Sequence, residues 1–415
     1  MEEIDEIFRF CAEHAGADPA TLRLKYLPQK ERLGFDVDLA ITQLECRRKT
    51  AAKLRDFLAA NPRWIFPGTL QAEQASGDIT ARFHASLVAE GDKVLDITCG
   101  LGIDDRYIAD RCSSLITCEI ALRSAALADE NFRRSGADNI RVVCGDSMQY
   151  LAETGEHFDT IFADPARRDS AGRRVFAFED CSPDIVAGIS LLRSRCRRLI
   201  VKGSPMMDIS AVERQLPYLS HIYVVSVRNE CREIVCICEF PQATADVAEL
   251  KAAESAGEGP ILHALNFLDI NTVQTLSGPL HAPRQPEPLL DSPQRICEGL
   301  FLAIPNASIL KSGRTDLLQR SFTAPRLDAN TNIYLFEDEP KDFPGRVFRI
   351  ENVYTLHDRR LKALKGENCN ILTRNFPLTP EQLKKRLRTA DGTRSEYIIG
   401  ATAAGKPLII KARLL

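Results

Sequence analysis

Five short runs rich in Val, Ile and Leu recur between residues 93 and 203, with helical stretches between them. The spacing predicts strands at 93–98, 115–120, 140–146, 160–165 and 198–203, and helices at 121–134 and 182–195. Strands this apolar are expected to be parallel and covered on both faces, and parallel neighbours need crossover helices. The implied fold class is α/β, an open, doubly wound sheet. After a short helix expected at 208–216, His221-Ile-Tyr-Val-Val-Ser-Val and Glu233-Ile-Val-Cys-Ile-Cys-Glu are separated only by Arg228-Asn-Glu-Cys-Arg, too few residues for a crossover. These two strands are expected to form an antiparallel hairpin at the sheet edge.

In such a sheet a ligand sits beyond the carboxyl ends of the strands, where the strand order reverses. The first strand runs into Asp96-Ile-Thr-Cys-Gly-Leu-Gly-Ile-Asp-Asp, in which Gly100 and Gly102 let backbone approach a ligand and open the next helix. Alone this is equally a tight strand-to-helix turn. The acids around it point further. Glu119, followed by Ile120, ends the second strand 23 residues after Asp96, where a carboxylate accepts from ribose hydroxyls. Asp146, with Ser147, ends the third strand and can meet an adenine edge. Asp96, Asp104 and Asp105 would repel a pyrophosphate, so a dinucleotide fits poorly. They suit a nucleoside carrying a cation, and S-adenosylmethionine has that chemistry. Asp96 and the 98–102 turn, including Thr98 and Cys99, are assigned to its methionine end. Cys99 is expected to pack there rather than act as a nucleophile.

The fourth strand ends in Ala163-Asp-Pro-Ala-Arg-Arg. Asp164 and Pro165 place a carboxylate and a stiffened turn at the strand tip, where an exocyclic amine could be held with its lone pair toward a methyl donor. Arg167, Arg168, Arg173 and Arg174 follow and are read as substrate-binding. Gln74 and Ser76 lie where a leading helix could fold over the cofactor, although plain helix surface is at least as good a reading.

Residues 86–240 resemble the class I S-adenosylmethionine-dependent methyltransferases, on Asp96-Ile-Thr-Cys-Gly-Leu-Gly, the strand-end acids and Asp164-Pro-Ala-Arg. The resemblance implies a seven-stranded, Rossmann-like sheet. Thr98 stands where most members have the first glycine. Amino-group methyltransferases usually carry Asp-Pro-Pro and an aromatic at the strand tip; here that aromatic is absent, leaving Phe176 or Phe178 to stack on a base. Pro305-Asn306, Leu310-Lys-Ser-Gly, Phe343-Pro-Gly-Arg-Val-Phe-Arg and Arg374-Asn-Phe-Pro-Leu-Thr-Pro-Glu-Gln-Leu are similar to a bacterial group with ferredoxin-like and THUMP-like pieces after the catalytic domain. THUMP domains help RNA-modifying enzymes hold RNA.

The expected organisation is a helical region at 1–85, the methyltransferase domain at 86–240, a linker or helix at 241–274, a small ferredoxin-like α+β module at 275–343 and a basic THUMP-like domain at 344–415. Within the first, residues 41–58 and 71–84 have helical spacing. In the last, Thr379 and Pro380 open a helix and Gly392 is expected to follow its end. The net charge of −3 hides an asymmetry: residues 345–415 carry 15 Lys/Arg against 6 Asp/Glu, so one end suits a polyanion. Structured RNA methylated at a base amine is the expected acceptor. The alternatives are a non-catalytic RNA-binding scaffold and a protein or small-molecule methyltransferase. The 13 cysteines include no Cys-x-x-Cys, no histidine spacing suggests a metal, and the acidic start Met1-Glu-Glu-Ile-Asp is unlike a signal peptide. The expectations are reduced thiols, no metal, no membrane and a cytoplasmic location.

Overall fold

The computed structural model describes residues 2–166, 177–241, 259–392 and 395–415. The chain divides into two compact units, Met1–Ser220 with Ile234–Gly257 and His221–Glu233 with Glu258–Leu415.

The first unit begins with α1 (Glu2–Glu13), α2 (Pro19–Tyr26) and α3 (Val37–Thr50), which bury Ile7, Phe10, Leu22, Ile41 and Leu44 together. The helix expected through 41–58 is broken: α3 stops at Thr50 and α4 spans Arg55–Ala60. The cause is remote in sequence. The Asp78 carboxylate accepts from Asp56 N at 2.8 Å and Phe57 N at 2.9 Å, starting a new helix there. The stretch 71–84 is likewise divided, into α5 (Thr69–Gln74) and α6 (Asp78–Leu87), where Asp78 N donates to Lys53 O at 2.7 Å.

The alternating pattern then folds as its period predicts, through β1 (Lys93–Asp96), α7 (Ile103–Ala109), β2 (Ser114–Glu119), α8 (Leu122–Arg134), β3 (Ile140–Cys144), α9 (Ser147–Glu153), β4 (Phe158–Ala163), α10 (Ile185–Arg195), β5 (Cys196–Gly203) and α11 (Ile209–Gln215). The five strands pair in parallel in the order β3-β2-β1-β4-β5, so the order reverses between β1 and β4. Several helices start on aspartates: Asp146, Asp184 and Asp208 accept from the amides of Gln149, Ala187 and Ala211 at 2.8–3.0 Å.

The hairpin strands are β6 (Leu219–Val227) and β7 (Glu230–Glu239), and β7 runs antiparallel to β5. The expectation of seven strands with this hairpin at the edge is corrected. The sheet has nine, in the order β3-β2-β1-β4-β5-β7-β6-β8-β9. β8 (Ile261–Phe267) pairs in parallel with β6, and β9 (Val273–Pro279) antiparallel with β8. These strands also replace the linker or helix expected at 259–274; residues 242–258 lie outside the described residues. Polar residues hid β8. Asn266 is buried, accepts from Asn229 N at 2.8 Å and donates to Gln274 Oε1 at 2.9 Å, so its burial is satisfied in a way spacing does not reveal.

The second unit also holds an eight-stranded sheet of β10 (Phe301–Pro305), β11 (Arg326–Asp328), β12 (Thr331–Phe336), β13 (Gly345–Thr355), β14 (Asn368–Arg374), β15 (Ala390–Asp391), β16 (Glu396–Ala403) and β17 (Lys406–Leu414). Their order is β11-β12-β10-β13-β17-β16-β14-β15. The sheet curls on itself: Ala404 N, in the β16–β17 turn, donates to Leu327 O on β11 at 2.8 Å. The concave side buries Leu302, Ile304, Phe348, Ile399, Ala401 and Ile410. The helix Pro380–Leu387 opens on Thr379 as expected, with a reciprocal bond to Gln382. Its end is set by Arg388 in the left-handed region, φ 53°, and not by Gly392. Of the 13 cysteines, Cys144 and Cys297 are exposed, Cys231 is half-buried and the others are buried.

Candidate functional site

A cavity of about 660 Å³ opens beyond the carboxyl ends of β1 to β5. Thr98, Cys99, Gly100, Gly102 and Asp104 line it from the first turn, Glu119 and Ile120 from the second, Asp146 and Ser147 from the third, and Asp164 and Pro165 from the fourth. The sequence-predicted site residues among them therefore share one cavity. Gln74 and Ser76 line it too.

The first turn is pinned on both sides: Ile97 N donates to Phe162 O at 3.1 Å and Cys99 N to Cys118 O at 2.9 Å. Gly102 has φ 73°, and a Cβ there would sit 2.6 Å from the Phe132 ring, so both backbone and space demand glycine. Thr98, at the departure from the usual glycine, bridges two acids. Its hydroxyl donates to Asp96 Oδ1 at 2.9 Å and accepts from Asp164 N at 2.6 Å, tying the first turn to the tip of β4.

Asp96 does not line the cavity; it is buried beneath the turn, where Oδ1 also accepts from Thr98 N at 2.6 Å. Its neighbour Asp105 is fully buried, with Oδ2 accepting from Thr117 Oγ1 at 2.9 Å and Oδ1 lacking a donor among the described residues. Burial, then the Asp105 charge, push the Asp96 carboxyl well above the usual range, and burial raises Asp105 to about 6.

Asp104 is also spoken for. His84 Nδ1 bonds its Oδ1 at 2.8 Å, while Ser76 Oγ at 2.7 Å and Lys202 Nζ at 3.2 Å bond its Oδ2. Burial pushes its carboxyl up, but Lys202 and His84 outweigh this and hold it well below the usual range. Lys202, from the end of β5, is 4% exposed and also donates to Ser76 Oγ and to Asp164 Oδ2, both at 2.7 Å. Neither Lys202 nor His84 was found by reading the sequence. The available signal was a lysine in the apolar run Leu199-Ile-Val-Lys-Gly, where only a paired charge is tolerated.

Glu119 Oε1 accepts from Ala121 N at 2.9 Å, and Asp146 Oδ1 caps α9; no second partner for either carboxylate is found among the described residues. At the tip of β4, Ala166 and Ser182 exchange backbone bonds of 2.8 and 3.2 Å, fixing the turn after Pro165. Phe178 is fully buried against Gly203 and cannot stack on a base, while Met206, 68% exposed, is among the residues that line the cavity. Phe176, Arg167, Arg168, Arg173 and Arg174 lie outside the described residues.

Comparison with known proteins agrees with this layout. Residues 94–172 match a methyltransferase domain model, 301–344 a ferredoxin-like domain and 345–413 a THUMP domain-like model. A crystal structure of a candidate methyltransferase from Porphyromonas gingivalis W83 is 27% identical, covers 99% of this chain and 98% of its own, and superposes with a TM-score of 0.82. Two curated relatives are 23S rRNA (uracil(1939)-C(5))-methyltransferases RlmD. That of Aeromonas salmonicida (strain A449) is 33% identical over 167 residues, 36% of each chain. That of Aeromonas hydrophila subsp. hydrophila is 28% identical over 144 residues, 32% of this chain and 31% of its own. The chain thus spans about a third of the length of these curated relatives. Fold, strand-end site and comparisons converge: the chain carries a methyltransferase domain, followed by a ferredoxin-like domain and a THUMP-like domain.

Proposed function

We propose that the protein transfers a methyl group from S-adenosylmethionine to RNA, at an exocyclic amine of a base. The observation that carries this reading is the single cavity with a glycine turn, Glu119 and Asp146 along one side and Asp164-Pro165 on the other, so that donor and acceptor ends meet. The residues fit the cofactor. Glu119 keeps an oxygen for a ribose hydroxyl, Asp146 and Ser147 flank the space for an adenine, and Gly100 and Gly102 leave room for the methionine end. When bound, the cofactor supplies an electrophilic methyl on a sulfonium. Asp164, with Oδ2 held by Lys202, offers Oδ1 and its backbone carbonyl to the acceptor amine. Met206 gives the acceptor an apolar face in place of the missing aromatic.

The curated relatives are named for a uracil carbon. A pyrimidine carbon becomes a good acceptor only after a nucleophile adds to the ring. Burial pushes the thiols lining this cavity up, Cys99 well above the usual range and Cys118 to about 12, so neither supplies a ready thiolate. This favours the amine. The holding of RNA is assigned to the basic residues 344–415. Calorimetry tests the cofactor assignment: S-adenosylhomocysteine is expected to bind the wild type, and no detectable heat would overturn it.

A further inference from the structure

Two sequence motifs of the second unit are not used by the methyltransferase cavity, Phe343-Pro-Gly-Arg-Val-Phe and Arg374-Asn-Phe-Pro. Each carries one arginine, Arg346 near the start of β13 and Arg374 at the end of β14. Strand alternation puts Arg346 on the side of Phe348, and Arg374 on the side of Leu372. Phe348 belongs to the concave core and Leu372 packs against it, so both arginines leave their strands on the concave side of the curled sheet.

The approach is fixed on both strands. The Arg346 guanidinium lies over the Phe348 ring at 5.7 Å and the Tyr397 ring at 5.9 Å from their centroids, and those rings meet edge to face at 5.0 Å. Arg374 is followed by Asn375 in the left-handed region, φ 46°, whose side chain donates to Thr331 Oγ1 at 3.3 Å. Phe376 then packs on Gly400, where a Cβ would lie 2.8 Å from its ring.

Neither guanidinium has a carboxylate within ion-pair distance among the described residues; the one hydrogen bond from the Arg374 head goes to its neighbour's carbonyl, Thr373 O, at 3.1 Å. Burial, and after it the positive charge of Arg346, hold Arg374 below the usual arginine range. A half-buried positive pair with no acid beside it is costly unless an anion completes it.

We propose that Arg346 and Arg374 form a phosphate-binding site in the concave face of this sheet, occupied by the RNA backbone; the choice of RNA rests on the function proposed above. Tyr397 and Phe348 hold one guanidinium flat, and a phosphate oxygen between the two heads would replace the missing carboxylate.

The test uses the full-length protein and inorganic pyrophosphate, followed by thermal unfolding. Arg374→Met and Arg346→Met are expected to raise Tm without ligand, because each removes an uncompensated charge. Pyrophosphate is expected to raise the Tm of the wild type and not of the variants. In a second arm, each substitution is expected to weaken binding of a fluorescent RNA hairpin about tenfold, as for one charge-assisted hydrogen bond, and to lower the salt slope by about 0.9. A drop in Tm for both variants, with pyrophosphate stabilising all three proteins alike, overturns the site. A pyrophosphate response with unchanged RNA affinity in the variants overturns RNA as its ligand. If the wild type binds no RNA, the proposed acceptor fails, and the pyrophosphate arm still decides the site.

Discussion

Lys202 Nζ donates to Asp164 Oδ2 at 2.7 Å from a position 4% exposed to solvent. The same ammonium bonds Ser76 and Asp104, so the end of β5, the segment at 69–77, the start of α7 and the tip of β4 share one buried charge. Asp164 therefore reaches the cavity already oriented, with one oxygen committed.

Replacing Lys202 by methionine strands two acids. The expected loss of stability is about 3 kcal/mol, the usual cost of breaking a buried pair, measured from urea unfolding. Asp104→Asn in the same chain should recover part of that loss, a coupling that independent sites would not show.

The Asp96–Asp105 pair predicts a pH dependence. Between about pH 4 and pH 6, the unfolded chain releases protons that the folded pair retains, since burial raises both acids. Stability then falls as pH rises through this window. Asp105→Asn should remove much of the fall, on the order of 1–3 kcal/mol, in urea midpoints measured at pH 4, 5, 6 and 7. Asp104 acts with the opposite sign: its carboxyl is held low, so its contribution is lost as pH drops below about 4.

What the sequence revealed follows from period and position. Strand-end residues such as Glu119 and Asp146 were readable because α/β alternation fixes which ends face the crevice. The partnership of Lys202 with Asp164, 38 residues apart, and of Asp78 with the start of α4, 22 residues away, depends on tertiary contact and leaves no local signature. Asp96 carries the motif yet lies under the turn, because Thr98 takes the place nearer the cavity. β8 escaped notice because its buried Asn266 is paid for by hydrogen bonds from outside its own strand.

Met206 is expected to matter for the acceptor alone. Met206→Glu puts a charge where a base would lie and should cut methyl transfer about tenfold or more, through loss of an apolar contact and repulsion of phosphate. Its affinity for S-adenosylhomocysteine, by calorimetry, should stay within about twofold. A matched loss of both would place Met206 at the cofactor.

Glu119→Ala removes the proposed ribose acceptor. Binding of S-adenosylhomocysteine should weaken by about ten- to a hundredfold, as expected for a hydrogen bond to a charged group, while Tm changes little because the side chain is only partly buried. Unchanged affinity would remove Glu119 from the cofactor site.

The central claim is tested most directly by incubating the protein with methyl-labelled S-adenosylmethionine and total bacterial RNA, then digesting with nuclease. The account predicts nuclease-sensitive label with the wild type, recovered as an N-methylated nucleoside, and its loss in Asp164→Ala, which still binds S-adenosylhomocysteine. Label that survives nuclease, label on a pyrimidine carbon, or binding of the cofactor with no transfer to RNA would contradict it.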